Sequence, residues 1–371
     1  MKRSIPLFKV FMSPPEELDK RLLDVVHSGW IGQCEKNAEF EKTFGEFVGN
    51  PYCVTVNSAT SALHMAYHMI GVGPCDEVIT TPATCFCAQC PALQMGAKLV
   101  WADVQESSMN IDPRSIRERI TNKTKAIYVV YWGGYPADMD EISRISSETG
   151  IPVLVDGAHA IGASYHGQSF GICAFSRFEV FSFQAIKQMT CGDGGALMCS
   201  RQDDYARAKL LRWYGIDREG LRTEVRCEDD IKEWGYKYHM NDISSIIGLV
   251  NLAHVRENNA IAQDNVDYYR SELAGMDGLK LIQTETDRRS GNWLFSILVD
   301  NREALESKLR NAGIGCNQVH ARNDVNTCVN ESRCRLPNTD YMYEHLLCIP
   351  VGWWVSKKDR EYIVEQIKGG W

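Results

Sequence analysis

The sequence contains no run of about 18 apolar residues, the minimum for a membrane-spanning helix, so none of its segments reads as a membrane span. Its start, Met1-Lys2-Arg3-Ser4-Ile5-Pro6-Leu7, lacks the apolar stretch of a secretory leader. Both absences point to a cytoplasmic protein. Positive charge is not in surplus either: 40 Lys and Arg against 48 Asp and Glu give a formal net charge of -8. That balance argues against a general binder of the nucleic-acid backbone, while leaving room for a local basic pocket. Internal repeats, low-complexity tracts and flexible linkers are missing, and no basic helix-turn-helix pattern stands at either end. Cysteine is plentiful, at 14 residues, but even around Cys85, Cys87 and Cys90 the spacing lacks the paired Cys-x-x-Cys halves of a zinc site. No metal is expected, and the thiols read as small core residues.

What is present describes a globular protein. A chain of 371 residues suffices for two domains, and 44% hydrophobic with 24% charged residues is an ordinary globular balance. From about residue 50 to 200, short apolar runs alternate with helical stretches. The runs are Cys53-Val54-Thr55-Val56, Glu77-Val78-Ile79-Thr80, Leu99-Val100-Trp101-Ala102, Ile127-Tyr128-Val129-Val130, Val153-Leu154-Val155, Val180-Phe181-Ser182-Phe183 and Ala196-Leu197-Met198. Near-continuous apolar strands separated by helices predict an α/β domain built on a mostly parallel seven-stranded sheet, covered on both faces. Asn241 or Asp242 then caps one long helix over 243–273, with Ile243, Ile246, Ile247, Val250 and Ala253 at helical spacing. Beyond it the pattern predicts a strand over 293–299, a helix over 302–312 and a terminal helix over 359–367. The expected division is a large domain over 1–250 and a smaller, tightly joined α+β domain over 251–371.

Chemistry in such sheets gathers at the carboxyl ends of the strands. Asp156 closes one strand, and the run Val180-Phe181-Ser182-Phe183-Gln184-Ala185-Ile186-Lys187 leads from another to a lysine, followed by Gly192-Asp193-Gly194-Gly195. A lysine just beyond a buried strand can form a Schiff base with an aldehyde cofactor, and a carboxylate can keep a pyridine nitrogen protonated. Taken singly, each also fits a strand that merely ends in Lys or Asp. Ser58-Ala59-Thr60-Ser61 opens a helical run, where amides and hydroxyls can receive a phosphate or Ser58 can act only as a cap.

These segments are joined, in order, by Ser28-Gly29-Trp30-Ile31-Gly32-Gln33, Phe40-Glu41, Asp76-Glu77-Val78-Ile79, Thr124-Lys125-Ala126-Ile127, Val155-Asp156-Gly157-Ala158-His159-Ala160 and Tyr236-Lys237-Tyr238-His239-Met240-Asn241-Asp242. Together they resemble the sugar aminotransferases of the DegT/DnrJ/EryC1/StrS family over nearly the whole chain. The resemblance implies the aspartate-aminotransferase-like fold (PLP fold type I), with pyridoxal 5'-phosphate (PLP) as cofactor and pyridoxamine 5'-phosphate as intermediate. It gives Lys187 the Schiff base and the proton transfer, and Asp156 the pyridine nitrogen. The phosphate falls to the amides of Ala59 and Thr60 beside Ser58 and to the hydroxyl of Ser182. His159 falls near the ring oxygen, although without the resemblance it reads equally as a structural histidine. Two positions depart from the family pattern. Where many relatives stack an aromatic residue on the ring, this chain has Thr84-Cys85-Phe86, which puts Cys85 against the ring. Lys237 replaces an asparagine that in relatives reaches the neighbouring subunit's cofactor phosphate, a role a cation can also fill, and one that implies a homodimer with shared active sites.

The same resemblance places Trp30, Tyr131 and His320 near substrate and lets Arg322 and Lys237 face a diphosphate. Trp30 and Tyr131 fit core or interface packing as well. The implied reaction carries the amino group of L-glutamate to the C4 keto carbon of a nucleotide-linked 4-keto-6-deoxysugar. Gly29-Trp30-Ile31-Gly32-Gln33 is closer to C4-aminating than to C3-aminating relatives. The alternatives are C3 amination, a PLP-dependent sugar dehydratase, whose branch carries histidine in place of the lysine, and a non-catalytic PLP-binding regulator, which normally carries an added DNA-binding segment. A cysteine-based redox or metal protein would rest on the thiol count alone.

Overall fold

The computed structural model describes residues 3–218 and 230–371. Each apolar run of the first two hundred residues forms a strand: β1 (Cys53–Val56), β2 (Glu77–Thr80), β3 (Lys98–Trp101), β4 (Thr124–Val130) and β5 (Val153–Asp156). After a short ribbon, β6 (Ser164–Tyr165) and β7 (Gln168–Ser169), come β8 (Phe178–Ser182) and β9 (Gly195–Cys199). The seven longer strands make one sheet in the order β1-β9-β8-β5-β4-β2-β3. Its pairings are parallel except around β9, which runs antiparallel to both β1 and β8. This is the mostly parallel seven-stranded sheet that the sequence predicts.

Alternation along the strands sorts their side chains into two apolar cores, one on each face. Tyr128, Val130, Leu154 and Val180 pack with the helix Ala59–Ile70 on one side. Ile127, Val129, Val155 and Phe181 pack on the other, with Phe40 and Phe44 of the helix Glu35–Val48. Phe44 meets Phe181 and Phe183 edge to face, at centroid distances of 4.9 and 5.0 Å. Such contacts add to the roughly 1.5–3 kcal/mol gained by burying each large apolar side chain. Several cysteines, among them Cys53, Cys191 and Cys199, are buried in this packing, whereas Cys227 lies outside the described residues.

The long helix expected over 243–273 is two helices, Asp242–Leu252 and Val255–Leu273. Asn251 explains the break: its side chain accepts from the amide and hydroxyl of Ser13 and donates to the carbonyl of Thr190 at 2.8 Å, anchoring the first helix where it stops. Ala253, expected on the apolar stripe, is exposed. Asn241 is the cap, accepting from the amide of Ser244. Asp242 instead accepts from the amides of Cys34, Lys36 and Asn37, which ties it to the start of the helix Glu35–Val48.

A second antiparallel sheet is formed by β10 (Leu279–Leu281), β12 (Phe295–Val299) and β13 (Leu346–Ile349), in the order β10-β12-β13. Between them β11 (Arg288–Arg289) pairs with β6. The helices Val255–Leu273, Arg302–Asn311 and Lys357–Lys368 close its core, which Ile5 also joins. The strand expected from 293 begins at Phe295, because the amides of Trp293 and Leu294 both bond to the carbonyl of Gly133 and so leave the ladder. Among the described residues no helix is long and apolar enough to cross a membrane. Truncating the central ring, Phe44→Ala, should cost about 3–5 kcal/mol, read as a lowered urea midpoint with an unchanged slope.

Candidate active site

Asp156 ends β5 and Ser182 ends β8, two parallel neighbours, so both sit on one rim of the sheet. Five residues after β8 the chain brings Lys187 back over that rim. The Lys187 ammonium lies 3.9 Å from the centroid of the Trp293 ring. It is also within electrostatic reach of Asp156, His159, Cys85 and His320. Burial pulls the Lys187 amine down to about 8, against the opposing pull of Asp156, Cys85 and Cys87. At pH 7.5 about a quarter of such amines are neutral and nucleophilic, compared with about a thousandth for an ordinary lysine.

Asp156 is 5% exposed, and burial raises its carboxyl pKa. Three features oppose that shift: the hydroxyl of Tyr128 donates to Oδ2 at 2.7 Å, the amide of Ala158 donates to Oδ1 at 2.9 Å, and Lys187 supplies positive charge. His159 is 2% exposed and stacks on Trp293 at 3.9 Å, while His320 lies nearly parallel to it at 5.7 Å. Burial, reinforced by the charge of Lys187, drives His159 well below the usual imidazole range and His320 down to about 4, so both rings are neutral at pH 7. Nδ1 of His159 and Nε2 of His320 are buried without a partner. Buried polar atoms in proteins are almost always bonded, so these two call for a ligand.

The helix Ala59–Ile70 starts at the same rim. Ser58 caps it, accepting from the amide of Ser61 at 3.1 Å, while the amides of Ala59 and Thr60 fall in the first turn, where a helix offers no internal acceptor. Gly195, paired with Ser182, lies against that turn; a Cβ on it would come within 2.5 Å of the Ala59 nitrogen. Glycine is what lets β9 approach so closely. Ser182 accepts one long bond, from the amide of Gln184 at 3.4 Å, which leaves its hydroxyl available. Cys85 caps a short 3-10 turn, Phe86–Ala88. A hydrogen bond from the Cys87 thiol and the charge of Lys187 bring Cys85 down to about 6 despite burial, and the Cys87 thiol also meets the side chain of Thr60.

The residues present fit PLP. Orphan amides at a helix start suit its phosphate, a buried carboxylate suits its ring nitrogen, and a partly neutral lysine suits its aldehyde. Ser58, Ala59, Thr60, Cys85, Asp156, His159, Ser182, Lys187 and His320 are gathered at this rim. Four other expected residues are placed elsewhere. Tyr131 lies in the core on the opposite face, against Phe170, because strand alternation gives it the parity opposite to Tyr128. Arg322 is committed to Asp324, with two bonds of 2.7 Å, and to Asp340, so its guanidinium is already paired. Lys237 is exposed, its ammonium 3.4 Å from the centroid of Trp213. Trp30 is 72% exposed at the surface. Tyr128 and Trp293 were read from the sequence only as strand residues; nothing local marks Tyr128, whose place depends on the pairing of β4 with β5, and Gly291 two residues before Trp293 is a weak signal.

Two outcomes follow. The rate at which apoprotein takes up PLP on Lys187 should rise about tenfold per pH unit up to about pH 8 and then level, because the neutral amine is the nucleophile; stopped-flow absorbance checks this. Gly195→Ala should weaken PLP binding by at least about tenfold, equivalent to 1.4 kcal/mol, as measured by fluorescence titration.

The model of the DegT/DnrJ/EryC1/StrS aminotransferase family matches residues 14–368. AtS13 from Actinomadura melliaura is 39% identical, with a TM-score of 0.94 over 100% of this chain and 99% of its own. The sugar aminotransferase CalS13 from Micromonospora echinospora is 37% identical, with a TM-score of 0.94 over 99% of this chain and 100% of its own. DesV from S. venezuelae, solved in complex with a ketimine intermediate, is 26% identical with a TM-score of 0.88, covering 95% of this chain and 94% of its own. With the family matched over nearly its whole length and the rim built to suit the cofactor, the chain belongs to the DegT/DnrJ/EryC1/StrS aminotransferase family and is a PLP-dependent aminotransferase.

Proposed function

We propose that the protein moves the amino group of L-glutamate to the C4 keto carbon of a nucleotide-linked 4-keto-6-deoxysugar. The observation that carries this reading is Lys187 itself, a buried amine pulled down to about 8 beside the buried Asp156. The sugar-dehydratase branch of the family carries histidine where this chain has Lys187. The similarity to the sugar aminotransferase CalS13 supports a sugar as acceptor.

When bound, PLP supplies an electron sink that accepts the bonding pair released from a carbon next to nitrogen. The chain's own residues do the rest. Asp156, as a carboxylate, holds the ring nitrogen protonated. The amides of Ala59 and Thr60, with Ser182, hold the phosphate and so fix the ring's position. Lys187, as a free amine, would take a proton from the donor's Cα and return one to the acceptor carbon, a task matched to a pKa near the working pH. Neutral His159 and His320 offer ring nitrogens to polar substituents without adding charge. Trp293 walls the amine against water and attracts its protonated form through the ring face.

The reading includes a homodimer with shared sites. Trp30 borders an open cavity of about 820 Å³ with Arg21, Ser28 and Gln33; Gln33 also lines a second cavity with Trp213, the ring on which the exposed Lys237 ammonium rests, and a second subunit's cofactor phosphate would give that ammonium an anionic partner.

In the test, purified protein is loaded with PLP and its visible spectrum followed on adding L-glutamate, for wild type and Lys187→Ala. Wild type should lose the visible band of the lysine-attached cofactor and release 2-oxoglutarate. A 4-keto-6-deoxysugar nucleotide, chosen from GDP, dTDP and UDP forms, should restore the band and yield a 4-amino sugar by mass spectrometry. Lys187→Ala should show no turnover above background. A 3-amino product, or a deoxygenated sugar without net amine transfer, would sink the C4 assignment.

A further inference from the structure

Behind Asp156 runs a buried chain of polar groups that the reaction described above does not use. The hydroxyl of Tyr128 donates to Oδ2 of Asp156 at 2.7 Å and has the side chain of Thr84 within electrostatic reach. The carbonyl of Thr84 accepts from Nδ2 of Asn323 at 2.9 Å, and the same amide reaches Oε1 of Gln89 at 2.8 Å. Gln89 in turn donates to Oγ1 of Thr80 at 3.2 Å and to the carbonyl of Thr81 at 3.1 Å. All of these residues are buried. A hydrogen-bonded buried network is rigid, and losing one member leaves its neighbours unpaired.

The chemistry of the hydroxyls sets the direction of this chain. A tyrosine hydroxyl has one proton, a threonine hydroxyl has one, and an ionised carboxylate only accepts. With Asp156 ionised, the arrangement that satisfies every atom has Thr84 donating to Tyr128 and Tyr128 donating to Asp156. Burial favours the opposite state, in which Asp156 keeps a proton and cannot balance a protonated ring nitrogen. The groups facing Asp156 are Tyr67 from the helix Ala59–Ile70, Tyr128 from β4, Lys187 beyond β8, and Cys85 and Cys87 from the segment after β2. Lys187 is the one cation among them, and it is the group whose amine must become neutral to react. A neutral donor that holds the carboxylate ionised regardless of the state of Lys187 therefore has a distinct use.

We propose that Tyr128, oriented by Thr84, is a positioning residue that keeps Asp156 ionised and aimed at the cofactor's ring nitrogen. Asn323 anchors the far end of the chain, so the loop that follows His320 also fixes Thr84. The inference rests on the PLP reading of the site and extends it to residues packed behind Asp156.

The test uses holoenzyme loaded with PLP labelled with 15N in the ring, whose nitrogen chemical shift reports protonation directly. Wild type should show the protonated value at pH 7.5. Tyr128→Phe keeps the ring and removes the hydroxyl; it should move the shift toward the unprotonated value and weaken PLP binding about 10- to 100-fold, the equivalent of one charge-assisted hydrogen bond. Thr84→Val should move the shift the same way by less, and Thr84→Ser should leave it at the wild-type value. Should Tyr128→Phe not fold, the threonine pair decides the matter. An unmoved nitrogen shift in the hydroxyl-lacking variants, whatever their thermal stability, would show that the chain is structural only and overturn the proposal. A wild type that binds no PLP would instead overturn the cofactor reading and this inference with it, so the two failures are distinguishable.

Discussion

The burial of one amine and one carboxylate at the same rim is the constraint on which the rest of this structure depends. Removing either charge from water alone would cost several kcal/mol. Lys187 responds by falling to about 8, and the carboxyl of Asp156 rises, while each charge partly restrains the other. The low-dielectric setting comes from the apolar faces of β4, β5 and β8 and from the helix Ala59–Ile70 packed over them. The same packing that stabilises the sheet thus prepares a nucleophilic amine and a carboxylate in need of a cation. A cofactor with an aldehyde, a basic ring nitrogen and a phosphate matches the amine, the carboxylate and the unbonded helix amides at this rim.

The rim is completed by residues from the second half of the chain. Trp293 leaves its strand's ladder to bond Gly133, and its indole donates to the carbonyl of Ile186, next to Lys187, at 2.9 Å. Phe8, near the start of the chain, also stacks on that ring, at 4.8 Å. His320 follows Val319, whose φ of 66° is a left-handed conformation that β-branched residues rarely adopt. Strain of that kind persists where surrounding structure enforces it, commonly at a functional site. The lysine is therefore held between two cores, and the aromatic wall joining them belongs to neither sheet.

The strands were legible because strands buried on both faces need continuous apolar runs, and the nearness of Lys187 to Asp156 was legible because one lies just beyond a strand end and the other at the end of the neighbouring strand. What depends on pairing was not. Tyr128 and Tyr131 stand three residues apart and look alike in sequence; the register that pairs Val130 with Asp156 places Tyr128 on the carboxylate's face and Tyr131 on the other. The break after Leu252 was hidden because Asn251 is committed to Ser13 and Thr190, both remote in sequence. Arg322 carried a local signal that could have been used: Asp324 is two residues away, and an adjacent carboxylate competes with any diphosphate for the guanidinium.

The central claim is that Lys187 is where the cofactor joins the chain. Reduction of PLP-loaded protein with borohydride, followed by proteolysis and mass spectrometry, tests it directly, because reduction makes the lysine attachment permanent. The account predicts the added pyridoxyl phosphate mass on the peptide containing Lys187 and on no other lysine. The mass on a different lysine, or on none in protein that has retained PLP, would contradict it.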